Sequence, residues 1–484
     1  MALCVSSSSA KPQEMAPYLS STSLASPPVT VVSKCAVYPD RKSTMGDLKL
    51  SVSDLPMLSC HYIQKGLFFP PPAVPGHSVV SLLKDPLSRA LSFFPPLAGR
   101  LHTDHDGRIY VSCNDAGVEF AHAVAPALSL PLLLPEGGAD VPCAVRSLFA
   151  LDGVVSYQGH CRPLAAFQVT ELGDGAFFVG CSVNHAVADG TSFWNFFNAW
   201  AELSRAAAAA APDAPLLALS RPPDFRRSFF GESEAVLQFP EGKEPEVTFP
   251  VNAPLRERIF HFSLEAIREL KSRANDKSKT KTTEEEEEEE EEEVVSSFQS
   301  LCAQLWISVT RARKQQLVAG QATTFRMAVN CRHRVVPRVD GLYFGNAIQS
   351  IPTTVRVEQV LSRGLPWAAR LLHRGVVGHG DARVREGVSA WEGAPRCFPL
   401  GNPDGAGVTM GSSPRFPMYE GNDFGWGPPV AVRSGRANKF DGKISAFPGR
   451  SGGGSVELEV CLAPEAMAGL LQDEEFMYYV SLSD

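Results

Sequence analysis

His185 and Asp189, in the stretch Val183-Asn-His-Ala-Val-Ala-Asp-Gly190, are the residues of this chain best suited to chemistry. A neutral imidazole with a pKa of about 6.5 takes a proton readily near neutral pH, so it can act as general base for an attacking alcohol or amine. An aspartate four residues later has two roles open to it: orienting the imidazole, or turning away to brace the loop through an arginine. The flanking elements would hold such a group on a rim. Phe177-Phe-Val-Gly-Cys-Ser-Val-Asn184 reads as a short buried strand, and Phe193, Trp194, Phe196, Phe197, Trp200 and Leu203 recur at helical spacing from Thr191 onward. This pattern places His185 at a strand end facing a cleft, with Gly190 closing a tight corner and Thr191 or Ser192 capping the helix.

The same spacing occurs a second time, in His102-Thr-Asp-His-Asp106. There Asp106-Gly107 falls between two apolar runs, the pattern of a hairpin turn, and predicts a solvated loop. Far downstream stands Asp423-Phe-Gly-Trp-Gly427, a string of tight-backbone glycines, one tryptophan to pack and one carboxylate to accept hydrogen bonds. Taken together and in this order, the two motifs resemble the signature of the plant HxxxD acyltransferases, the BAHD family. Asp54-Leu-Pro-Met57, His61-Tyr-Ile-Gln-Lys-Gly-Leu67, Phe94-Pro-Pro-Leu-Ala-Gly-Arg100, Tyr343-Phe-Gly-Asn346 and Ala437-Asn-Lys-Phe-Asp-Gly442 are similar to further family runs, the first of them to its first strand. The likeness extends from about Thr30 to about Ser481.

The resemblance implies a CoA-thioester acyltransferase in which His185 is the base and Asp189 faces an arginine of the other domain. Asn330-Cys-Arg-His-Arg334 looks like the family's Asp-x-Arg-x-Arg run and nominates Arg332. It also implies that Asp423, Phe424, Gly425, Trp426 and Gly427 shape the CoA channel without touching the reacting atoms. The implied fold is α/β, a two-domain chloramphenicol-acetyltransferase-like pair of mixed sheets with a solvent channel between domains. Alternating β-rich runs and amphipathic helices agree with two α/β domains. No Gly-x-Ser-x-Gly elbow competes as a nucleophile, and direct attack without an acyl-enzyme is the simpler course. Three departures from the family pattern stand out: Gly411, Ser412 and Ser413 where Thr-Ser-Trp is common, Asn330 for Asp, and Ala347 where the anthocyanin malonyl-transferring branch has Cys. A differently shaped acyl pocket is expected, with Ser412 or Ser413 as an oxyanion donor. Two other classes remain open: a lyase using the same pocket without acyl transfer, and a non-catalytic HxxxD binding protein. Intact His185, Asp189 and Asp423 argue against the second.

Composition fits a large enzyme: 484 residues, 44% hydrophobic, are enough to bury two cores. No apolar run approaches the roughly 18 residues of a membrane span. The net charge of −8 owes itself to the run Glu284 to Glu293; without it 43 acids face 45 bases, which gives no electrostatic case for nucleic acid or membrane partners. Eleven scattered cysteines without a Cys-x-x-Cys pair predict reduced thiols, and eleven histidines without ligand spacing predict no metal site. The expected partners are acyl-CoA as co-substrate, with no permanently bound cofactor, and a small-molecule acceptor. A cytoplasmic monomer is expected.

Punctuation along the chain predicts a disordered tail over 1–27, a first domain over 28–205, a crossover linker over 206–222 and a second domain over 223–484. A short segment after residue 426 would cross back to the first domain. A Lys/Glu-rich insertion over 275–295 is expected to be disordered, between a helix capped by Ser263 and one carrying Phe298, Leu301, Leu305 and Val309.

Overall fold

The computed structural model describes residues 29–72, 76–135, 138–209, 218–227, 233–239, 243–276 and 293–481. The expected tail, the middle of the linker and the centre of the insertion lie outside the described residues. The first part of the chain forms β1 (Thr30–Val37), β2 (Leu48–Lys49), β3 (Ile63–Phe69), α1 (Gly76–Phe93), β4 (Arg100–Thr103), β5 (Ile109–Ser112), β6 (Val118–Ala125), α2 (Leu130–Leu133), β7 (Ala165–Leu172), β8 (Phe177–Val183) and α3 (Gly190–Ala209). The second part forms β9 (Arg256–Phe262), α4 (Leu264–Ala274), α5 (Ser297–Ala312), β10 (Ala322–Asn330), β11 (Ile348–Arg356), α6 (Val357–Val377), α7 (Asp381–Gly393), β12 (Val408–Met410), β13 (Ala431–Ser434), β14 (Lys443–Pro448), β15 (Val456–Leu462), α8 (Pro464–Leu471) and α9 (Glu474–Tyr479).

Two six-stranded mixed sheets result, in the orders β1-β6-β7-β8-β3-β13 and β11-β10-β12-β14-β15-β9, with a small sheet β2-β5-β4 beside them. The parallel pairs are β6 with β7, β10 with β12, and β12 with β14. β8 is buried throughout because both its faces are covered. Phe177, Val179, Cys181 and Val183 point into the core that holds α1 and α3, while Phe178 packs in a second cluster with Phe68 and Leu148. Hence its sequence is a continuous apolar run instead of an alternating one. On α3 the aromatic stripe is buried as its spacing predicts, and the Trp200 indole donates to the carbonyl of Leu83 on α1, 3.0 Å away. β13, from beyond the Asp423 motif, pairs antiparallel with β3 and so returns the chain to the first sheet.

Several expectations need adjusting. Asp54-Leu-Pro-Met57 is not a strand: Leu55–Ser59 is a 3₁₀ turn, since Pro56 lacks an N–H and the Asp54 carboxylate accepts from Ser51 N at 2.8 Å. α3 runs to Ala209, so the first residues assigned to the linker are helical. The insertion is anchored at both ends, and α4 is capped by Ser263, whose hydroxyl accepts from Ala266 N at 3.2 Å. Asn275 donates its amide to the Val295 carbonyl at 3.2 Å and accepts from Val295 N at 2.9 Å, so the chain re-enters beside the point where it left. Deleting Glu284 to Glu293 is therefore expected to raise the isoelectric point strongly and leave turnover nearly unchanged, since loop length costs only about 0.6 kcal/mol per doubling. Isoelectric focusing and a turnover assay check this; lost activity would assign the run a role in the site.

Candidate active site

His185 sits in a turn whose backbone is held from several sides. Asn184 folds the chain locally: its side-chain oxygen accepts from Ala186 N at 2.9 Å, its backbone carbonyl accepts from Val187 N at 3.1 Å, and its amide donates to Ser156 O at 2.7 Å. The His185 N–H donates to the Ser156 hydroxyl at 3.0 Å, and its carbonyl accepts from the Asn346 amide at 2.8 Å. The Asn346 side chain also acts on the ring. Nδ1 is buried and has no hydrogen-bond partner among the described residues, and no carboxylate touches the imidazole.

Asp189 turns away from it. One carboxylate oxygen accepts from Arg332 Nη1 at 2.7 Å and Ala347 N at 3.0 Å; the other accepts from Arg332 Nη2 at 3.0 Å and Ser192 N at 2.9 Å. Both side chains are fully buried. Burial alone would push the Asp189 carboxyl up, but the guanidinium and the two backbone N–H groups more than offset this, and its pKa lies below the usual carboxylate value. Asp189 is therefore also the cap of α3, in place of Thr191 or Ser192. The Ser192 hydroxyl is engaged across the domain gap, with the Tyr343 and Gly345 carbonyls. Gly190 is needed for a different reason than a corner: its φ is ordinary, but a Cβ there would come within 2.8 Å of the Phe416 ring.

Between the two halves lies a cavity of about 720 Å³, lined among others by His185, Trp194, Asn330, His333, Ser412 and Lys443. Burial holds the His185 pKa below its ordinary value, an effect that Lys443 reinforces and Asp189 opposes. The ring is accordingly neutral, and able to accept a proton, near pH 7. Ser412 and Ser413 both line the cavity. The Ser412 hydroxyl, however, donates to the Ala446 carbonyl at 3.0 Å, whereas the Ser413 oxygen accepts from Arg415 N at 3.2 Å. Of the two, Ser413 keeps its proton for a ligand among the described residues.

The Asp423 motif does not line this cavity. Phe424 is buried against Trp200 (5.0 Å between centroids), and Trp426 stacks on Phe424. Asp423 closes the turn by accepting from Gly425 N (2.8 Å) and Gly427 N (2.9 Å), glycines with φ of 111° and 108° that other residues rarely adopt. The motif packs on α3, where Phe424 also meets the Phe197 ring and Arg205 donates to the Asp423 carbonyl. The second His-x-x-x-Asp string lies, as predicted, on the β4–β5 hairpin with Asp106 exposed in the turn. Gly449-Arg-Ser-Gly-Gly453 has nucleophile-elbow spacing, but it forms the turn between the antiparallel strands β14 and β15, not a strand-to-helix corner.

Sequence reasoning missed several members of the site. Asp54 accepts from both the backbone N–H and the amide of Asn346 at 2.8 and 2.9 Å, and also pairs with Arg227, which donates to the Tyr343 hydroxyl at 2.7 Å. This chain of contacts ends on the His185 carbonyl through Asn346. Lys443 was missed too, although Gly411, beside it just past the end of β12, was noted as a departure.

Comparison with known proteins agrees with this architecture. A model of the Transferase family matches residues 27–477. An Arabidopsis thaliana protein named BAHD acyltransferase DCR is 33% identical over 473 residues, which span 93% of this chain and 92% of the relative. Vinorine synthase superposes with a TM-score of 0.71 at 22% identity, covering 94% of this chain and 99% of its own. TRI101 of F. sporotrichioides, solved with Coenzyme A and T-2, gives 0.72 at 19% identity, with 90% and 99% covered. The last two likenesses carry the two-domain chloramphenicol-acetyltransferase-like fold expected from the sequence.

Proposed function

The chain belongs to the BAHD family of plant CoA-dependent acyltransferases, and on that premise we propose that it moves an acyl group from a CoA thioester to the hydroxyl or amine of a small metabolite, with His185 as general base. The observation that carries this is a neutral imidazole, its Nδ1 unbonded among the described residues, on the wall of a cavity shared by both halves, with its backbone fixed and its neighbouring carboxylate committed elsewhere. His185 removes the acceptor's proton as the acceptor's oxygen or nitrogen attacks the thioester carbonyl. The tetrahedral oxyanion then collapses, the carbon–sulfur bond breaks, and the imidazolium returns its proton to the departing thiolate, giving free CoA. No acyl-enzyme is required. Ser413 supports the oxyanion by its position on the cavity wall and its uncommitted hydroxyl.

Asp189 and Arg332 act on this chemistry only by holding the loop. In keeping with the cavity's two-sided lining, CoA enters from one side and the acceptor from the other. The enzyme works as a cytoplasmic monomer in this proposal; among the described residues no helix is long and apolar enough to cross a membrane.

The lowered His185 pKa sets the expected pH profile. Activity needs the neutral ring and is lost as falling pH protonates it, so the acid limb of kcat/KM should lie below about pH 6.5. A limb above that value would contradict the environment assigned to the ring. Release of free CoA from a panel of thioesters and acceptors tests the activity itself; release with none of them would leave the proposal without support.

A further inference from the structure

Two ammonium groups line the cavity with no carboxylate of the described residues bound to them. Lys443 begins β14 and Lys65 lies on β3, and both border the space that His185 borders. Among the described residues neither ammonium has an ion pair or a hydrogen bond; Lys65 lies 4.8 Å from the centroid of the Phe447 ring. The carboxylates nearby are committed. Glu459 accepts from Lys439 at 3.2 Å and from the Ser434 hydroxyl, while Glu257 takes Lys439 at 2.7 Å and Arg146 at 2.6 Å. Unpaired charge in a largely buried site is costly, and it marks a place where the counter-charge arrives with a ligand.

Gly411 belongs to the same device. It follows β12, which pairs in parallel with β14, and its N–H donates to the Ile444 carbonyl at 3.0 Å. A Cβ at this position would overlap the Lys443 ammonium. The ammonium thus fills the room that a side chain at 411 would take, which accounts for the departure from threonine seen in the sequence.

We propose that Lys443 and Lys65 form an anion subsite that binds a carboxylate on one of the two substrates, acceptor or acyl group, and selects for substrates that carry one. This rests on the acyl-transfer proposal above. A carboxylate fits better than a CoA phosphate, because Lys443 acts on the imidazole itself, whereas in acyl-CoA the pantetheine arm separates the phosphates from the thioester. Burial lowers both lysines to about 8, with Glu459 opposing the shift in each, so they are mainly cationic at neutral pH and an incoming anion relieves their mutual repulsion.

Calorimetric titration tests this without turnover, so its failure is separable from a failure of the acyl-transfer proposal. One arm compares 3-hydroxybenzoate with 3-hydroxybenzamide in the presence of saturating CoA; the other compares succinyl-CoA with butyryl-CoA. The charged member should bind roughly ten- to hundredfold more tightly in one of the arms, which identifies the substrate that carries the carboxylate. Lys443→Met should abolish the difference, and so should Gly411→Ala, which displaces the flexible ammonium without removing it. His185→Ala should keep it. Equal affinities in both arms, no measurable binding of the charged probes, a difference that survives both Lys443→Met and Gly411→Ala, or a Lys443→Met variant that weakens CoA alone as much as the charged probe would each overturn the subsite.

Discussion

His185→Ala is expected to lower kcat/KM by about 10²–10⁴-fold while leaving the melting temperature close to that of the parent protein. The rate loss follows because the groups nearest the ring cannot take its place: Lys443 and Lys65 are mainly protonated, and Asp189 is bound face-on to Arg332. The fold should persist because Nδ1 of the imidazole has no hydrogen-bond partner among the described residues, and the loop is held by its backbone through Ser156 and Asn346. Steady-state kinetics beside a thermal melt check both halves of the expectation. Comparable turnover by a variant that melts normally would remove His185 from the mechanism.

Asp189→Asn is expected to act mainly on stability, at a cost of about 3–5 kcal/mol. Each carboxylate oxygen accepts two hydrogen bonds, and an amide nitrogen accepts none, so the substitution loses two of the four and sets donor against donor. Arg332 is left fully buried without its counter-charge. The same pairing carries a pH dependence. Because the folded carboxyl has a pKa below its unfolded value of about 3.9, the contribution is complete above that value and is lost as pH falls through the folded one. Chemical denaturation should show a lower midpoint for the variant, and Arg332→Met combined with it should recover part of the loss. A variant as stable as the parent but devoid of activity would mean that the carboxylate serves the imidazole after all.

The part of the site that sequence makes legible is the part built from neighbours in the chain. A buried strand, a polar turn and an aromatic helix can be read from Phe177 to Leu203 because periodicity and turn chemistry are local. The pairing of Asp189 with Arg332, 143 positions away, followed only from family resemblance. Asp54, Arg227, Tyr343 and Asn346 come from three distant segments, and nothing in their spacing says that they converge on the His185 carbonyl. The cap was misassigned because Ser192 and Thr191 are good capping types, yet it is Asp189 that stands before the first helical residue and accepts from Ser192 N. Gly190 looks like a backbone device in sequence and Gly411 like a change in the acyl pocket, but both are glycine to admit a side chain from elsewhere, the Phe416 ring and the Lys443 ammonium. That kind of reason is visible only in three dimensions.

The most direct test of direct, His185-dependent acyl transfer is the release of free CoA followed with and without acceptor. The enzyme should release CoA in step with acylated product only when thioester and acceptor are both present, leave no acyl group on the protein by intact-mass measurement when the acceptor is omitted, and lose the release in His185→Ala. A stoichiometric acyl-protein formed from thioester alone, or product formed with no thioester consumed, would contradict it.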